Sequence, residues 1–235
     1  MLIGIALASE LTMEDRVSAA IKNVDRKLTA MYRAAGIKSS NPIIYIRAFK
    51  READLEVWAA NAAGEKFKLL ASYDVAAQSG VLGPKRKEGD KQVPEGFYVI
   101  DRFNPQSRFH LSLGINYPNA SDRILSDKQK PGGDIFIHGD RKSIGCLAMT
   151  DPIIEEIYVL ALRAKQGGQK QIRVDIFPFR MTSAATRTMS ATYPDLAEFW
   201  RPLAAAYRSF ESSRLIPQFK VLKSGAYEVS SVRGS

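Results

Sequence analysis

The first regular pattern in the chain begins at residue 12. Val17, Ile21, Val24, Leu28 and Met31 recur at helical spacing, which predicts a helix over 12–35. Thr12 and Asp15 form a capping-box-like start, and Gly36 supplies a stop. A single apolar stripe on a polar helix means that it packs on a larger body. Asn41-Pro42 breaks the chain, and the pattern then shifts to short β-rich runs. Ile43 to Phe49 and Leu55 to Ala59 flank the charged turn Lys50 to Asp54 and read as a hairpin. Phe67 to Tyr73, Phe97 to Phe103 and Phe109 to Ile115 are further predicted strands, divided by Gly, Pro and Asn turns. Ile135 to His138 is a short apolar strand ending on a histidine. Asp151-Pro152 opens a helix with proline at its first position, and Gly167-Gly168 ends it. Ile172 to Phe177 is another strand. A helix runs from Pro194 to about Ser212, with a kink predicted at Pro202, and a final short strand or two follow Pro217. The expected class is α+β, a β-rich body wrapped by three helices.

Composition narrows the chemistry. The 235 residues suit one domain with a core that needs no staples. Cys146 is the only cysteine, so no disulfide forms within the chain, and His110 and His138 are the only histidines. That set cannot build a cysteine-rich zinc site, and no metal or organic cofactor is expected. The formal charge of +9 favours anionic partners. The basic residues are spread along the chain, however, and no RNP-like or helix-turn-helix pattern is present, so nucleic acid is not expected as a partner. No apolar run approaches the roughly 20 residues of a membrane-spanning helix. Residues 1–9 end in Ala6-Leu7-Ala8, a small-x-small pattern. They read either as the remnant of a signal peptide or as a lead-in to the helix.

The candidate chemistry lies between Ile135 and Asp151, where His138 stands eight residues before Cys146 in a loop between strand and helix. A thiol becomes a nucleophile when a base takes its proton or nearby positive charge favours the thiolate. His138 can be the base, and Arg141 and Lys142 can add positive potential. Gly145 lets the backbone turn sharply and aim N–H groups at a developing oxyanion. The nearby helix N-terminus would favour thiolate if the sulfur points toward it. The plainer reading is a buried, inert cysteine and a structural histidine.

His138-Gly139 followed by Ser143-x-Gly145-Cys146 resembles the signature of the L,D-transpeptidase family, the YkuD domain. Lys91-Gln92-Val93-Pro94-Glu95-Gly96-Phe97-Tyr98-Val99-Ile100 resembles the family's T-P-x-G-x-F-x-I hairpin, with Val93 where Thr is usual. The chain looks most like the YafK branch, through Ile46 to Lys50, Gly80 to Lys85, Leu111 to Ala120, Gly145 to Asp151 and Phe177 to Met181. The His-to-Cys loop is short, Ile144 stands where many members carry a second histidine, and Ala148 replaces a common arginine. The branch shares the short loop and the Ala-Met-Thr-Asp ending.

The resemblance implies a YkuD-type mixed β-sandwich. The 1–36 helical segment would pack against a catalytic domain over 37–230 that carries a C-terminal helical extension. It implies Cys146 as nucleophile, His138 as general base, the Gly139 carbonyl as its orienting group and Ser143 as a hydrogen-bonding loop residue. The Gly145 and Cys146 N–H groups would form the oxyanion hole. Tyr117, Asn119 and Arg141 are substrate-contact candidates, and Asp122 and Arg123 could join them. His110 reads as a strand histidine on a polar face. The implied substrate is a peptidoglycan stem peptide, cut at a diaminopimelate-linked amide through a thioester, with release of a wall-linked lipoprotein as first choice. Cross-linking and stem-peptide trimming are the enzyme alternatives, and a non-catalytic wall-binding module is the alternative of another class. A monomer in the periplasm is expected, with a secreted effector as the other possibility.

Overall fold

A computed structural model describes residues 13–230, so the expected cap at Thr12 and the 1–9 segment lie outside the described residues. β1 (Ile43–Phe49), β2 (Asp54–Ala60) and β3 (Lys68–Asp74) form an antiparallel meander. β8 (Arg173–Phe177) lies parallel to β1 and antiparallel to β4 (Gly96–Asn104). β5 (Ser112–Ile115) pairs with β4, β6 (Phe136–His138) with β5, and β7 (Leu147–Ala148) with β6. The result is one eight-stranded mixed sheet in the order β3-β2-β1-β8-β4-β5-β6-β7. β9 (Gln218–Val221) and β10 (Tyr227–Ser230) make a separate hairpin.

β4 belongs to both halves of the sheet. Gly96 to Val99 pairs with β8 and Ile100 to Asn104 with β5, with a register shift between Ile100 and Arg102. A strand that changes partners across such an irregularity bends the sheet and gives it a curled, sandwich-like form. The α+β mixed-sheet architecture expected from the sequence is the one observed.

Both faces of the central strands are covered, which is why β1 is buried along nearly its whole length and is apolar apart from Arg47. α1 (Met13–Ala34) and α3 (Asp151–Gln166) lie on one face. Ala20, Val24, Leu28 and Tyr32 form the buried stripe of α1, whereas Ile21 stands at its exposed edge. The stripe is therefore rotated slightly from the one predicted. α4 (Ser183–Thr192) and α5 (Pro194–Ser213) accompany an aromatic layer on the other face, built from Phe49, Phe177, Trp200 and Tyr207. Pro202 lies inside α5. α4 and the short α2 (Ala120–Leu125) were not predicted.

This half of the protein also buries charge. Arg47 is 1% exposed and bonds Glu56 at 2.6 Å and Glu211 at 2.8 Å. Lys50 meets Glu95 at 2.9 Å, and the Trp200 indole N–H donates to the same carboxylate.

Candidate active site

β6 delivers His138 and β7 follows Cys146 directly. The two strands pair in parallel, and this pairing brings the two ends of the loop between them together. His138 is 2% exposed. Its Nδ1 lies 2.5 Å from the Gly139 carbonyl oxygen. A carbonyl can only accept, so the ring proton sits on Nδ1 and Nε2 keeps its lone pair. The Phe109 ring stacks on the imidazole, with centroids 4.7 Å apart. Burial pushes the His138 pKa below the usual histidine value, against opposing pulls from the Gly139 carbonyl and the Asp140 carboxylate. Near neutral pH the imidazole is therefore an uncharged base.

Glycine is required at 139. A Cβ there would collide with the Asp151 carboxylate and stand 2.6 Å from the Phe109 carbonyl oxygen. Asp151, at the start of α3, accepts the Asp140 N–H at 2.8 Å and ties the segment after His138 to the helix.

Cys146 is partly buried, and its Sγ lies 3.7 Å from the Asp134 carbonyl oxygen. Burial raises the thiol pKa above its usual value. The Phe136 N–H and Lys85 pull it down, and the Asp134 carboxylate pushes it up. The condition set for a helix-stabilised thiolate is not met: strand β7 intervenes between the cysteine and α3, and burial favours the thiol. Lys85, rather than Arg141 or Lys142, is the cation that acts on it.

The Ser143 hydroxyl braces the turn. Its oxygen accepts the N–H groups of Gly145 at 3.3 Å and Cys146 at 3.0 Å, and it donates to the Cys146 carbonyl at 2.6 Å. The two N–H groups expected to face an oxyanion are thus already occupied by a side chain two and three residues earlier. Gly145 has φ 125°, a conformation open to glycine.

His138 and Cys146 line one cavity of about 450 Å3 with Phe109, Phe136, Asp134 and Ile144. A second hollow of about 430 Å3 also meets Cys146 and is lined by Lys85, Glu88, Lys91 and Gly133. Ile144, 79% exposed, borders both. A larger hollow of about 520 Å3, beside Tyr32, Lys38 and Arg163, contains neither candidate group.

Two of the three substrate-contact candidates are engaged elsewhere. Tyr117 is buried and donates to the Pro131 carbonyl. Asn119 caps α2, accepts the Asp122 N–H, and donates to Phe97 O and Tyr227 Oη. Asp122 completes that capping box and accepts from the Tyr98 hydroxyl at 3.0 Å. These side chains are engaged in hydrogen bonds within the fold, and neither Tyr117 nor Asn119 lines a cavity that contains Cys146. Arg141 is exposed on the His138–Cys146 loop and lines neither cavity. His110 is a loop residue, not a strand residue, because β5 begins only at Ser112. Its Nε2 lies 2.8 Å from Glu155 on α3. Sequence reasoning missed Phe109 and Lys85. Phe109 was absorbed into a predicted strand and Lys85 into a charged run.

Among the described residues no helix is long and apolar enough to cross a membrane, and no cluster of His, Cys, Asp or Glu could hold a metal ion. The L,D-transpeptidase catalytic domain, YkuD, matches residues 59–176. YafK of Escherichia coli (strain K12), an L,D-transpeptidase by name, is 40% identical over 189 residues, covering 80% of this chain and 74% of that protein. The crystal structure of the helical cell shape determining protein Pgp2 from Campylobacter jejuni shares 20% identity over 86% of this chain and 80% of that one, with a TM-score of 0.45. The His138–Cys146 site falls inside the matched stretch, and the chain belongs to the L,D-transpeptidase (YkuD) family, whose members act on peptidoglycan peptides.

Proposed function

We propose that the protein is a cysteine-dependent acyl-transfer enzyme of the cell envelope. In this reading it hydrolyses the amide that joins a lipoprotein to the diaminopimelate of peptidoglycan. The observation that carries the proposal is the shared cavity, where His138, its Nδ1 committed to Gly139, faces the same space as Cys146. His138 Nε2 takes the Sγ proton as sulfur attacks the amide carbonyl carbon, and negative charge builds on the carbonyl oxygen. That oxygen takes the Gly145 and Cys146 N–H groups by displacing the Ser143 hydroxyl. The C–N bond then breaks, and the amine leaves with the proton held by His138. A thioester remains. His138 next takes a proton from water, hydroxide attacks the thioester carbonyl, and the C–S bond breaks to restore the thiol and free a carboxylate.

The hollow on the Lys85 side of Cys146 supports a second reading, in which an amine rather than water resolves the thioester and a cross-link forms. Both readings place the protein in the periplasm. The test is incubation of purified sacculi with the enzyme, followed by mass spectrometry. Release of lipoprotein-derived fragments that is lost in Cys146→Ala supports hydrolysis. Muropeptides with new cross-links support transfer. Release by Cys146→Ala equal to wild type would sink both, and sacculi left unchanged by the wild-type protein would leave a wall-binding module.

A further inference from the structure

The segment 105–110 crosses the His138 side of the cavity and is fastened from three directions. Arg16 on α1 donates from Nη1 to the carbonyls of Ser107 at 3.2 Å and His110 at 3.4 Å, with Pro105 at 3.5 Å. His110 has φ 68°, a turn that lets its ring meet Glu155 on α3 at 2.8 Å. The Phe109 and Leu111 carbonyls accept the Gly139 N–H at 3.1 and 3.2 Å, and the Ser107 hydroxyl oxygen accepts the Phe109 N–H at 3.0 Å. Between these fastenings the Phe109 ring lies on the imidazole, tilted by 29°.

We infer that Phe109 is a positioning residue for His138, and that Arg16 holds the strap that keeps its ring in place. The inference rests on the reading of His138 as the base. It brings α1, which lies outside the matched stretch 59–176, into the catalytic unit. The ring covers one face of the imidazole and restricts its rotation, while Gly139 fixes its edge. Water excluded from that face cannot stabilise imidazolium, so the ring helps to keep His138 a neutral base. The other groups around His138 are Asp140 beside it, Cys146 and Asp134 across the cavity, Arg108 on the strap, and Asp151 and His110 behind Gly139.

With two histidines in the chain, both imidazoles can be followed by proton NMR titration of the full protein, with His138→Gln assigning the signals. Phe109→Ala is expected to raise the His138 midpoint toward that of a free imidazole. The acid limb of kcat/KM should move with it, and kcat should fall about tenfold with a smaller change in KM. Phe109→Leu, which keeps bulk without the ring, should fall between. Arg16→Ala should shift the midpoint less in the same direction, and Arg16→Lys should recover part of it. A His138 midpoint unchanged in folded Phe109→Ala and Phe109→Leu would overturn the inference, whatever the sacculi assay shows. Loss of the sacculi activity in wild type would overturn the functional reading and leave the titration interpretable.

Discussion

The two halves of the sheet treat charge in opposite ways. Around β1, β2 and β8, charges are buried and matched. The Arg47 guanidinium bonds two carboxylates and lies among four aromatic rings, the nearest centroid at 4.7 Å. Lys50 and Glu95 are held just as tightly. Around β5, β6 and β7, burial acts on a thiol and an imidazole and keeps both neutral. Backbone strain is distributed the same way. Of the seven non-glycine residues with positive φ among those described, His110, Asp134, Asp140 and Thr150 lie in the loops of this second half. Each such conformation costs on the order of 1 kcal/mol and persists because neighbours hold it. One half uses paired ions to hold shape, and in the other burial disfavours charge on both the imidazole and the thiol.

This contrast predicts that substitutions separate into activity losses and stability losses. The largest effect is expected for Cys146→Ala, which should abolish release from sacculi while leaving the urea unfolding midpoint near wild type. His138→Gln should lower kcat/KM by about 10² to 10⁴ with the fold intact. The pH profile follows from the same base. Rate requires neutral His138, and burial lowers its pKa, so activity should persist at pH 6.5 and be lost only as pH falls through the lowered value. An acid limb centred above 7 would contradict the buried, ring-covered imidazole.

The opposite signature is expected in the first half. Glu56→Gln leaves Arg47 and Arg180 without their shared carboxylate and should cost about 3–5 kcal/mol in urea unfolding. The folded fraction should keep kcat within about twofold. A parallel collapse of kcat would show that the two halves are not separable. The smallest effect belongs to Ser143→Ala. Loss of its three hydrogen bonds should cost about 1–2 kcal/mol and slow turnover, with Ser143→Thr recovering part of both.

What was legible in the sequence was what depends on neighbours along the chain. The apolar run ending on His138, the glycines at 139 and 145, and the proline start of α3 each act within a few residues, and each appears where the pattern placed it. Two local signals were present but misread. Asn119 with Asp122 three residues on is a capping pair, yet the sequence reading made both substrate-contact candidates. Ser143 three residues before Cys146 has the spacing at which a hydroxyl captures backbone N–H groups, and that competes with an oxyanion for the same donors. The rest was out of reach. Arg16 meets the strap some 90 positions away, and Phe109 stacks on His138 only because His110 turns the chain before β5 begins. No periodicity records such contacts. The rotated stripe of α1 has a similar origin, since the partner α3, not the helix alone, decides which residues face inward.

The order of strands bears on when the molecule becomes complete. β8 sits between β1 and β4, yet it comes from residues 173–177, and Ile46 pairs with Val174 across most of the chain. A chain that has supplied only its first 170 residues therefore carries two open strand edges where the finished protein has its centre. β4, from which β5, β6 and the His138–Cys146 loop extend, then has no neighbour on its inner side. The inner side of β4 is covered through one of the most sequence-distant pairings in the fold, a kind of contact that closes slowly. Without β8, the edges of β1 and β4 that it covers in the finished sheet would be open to edge-to-edge association.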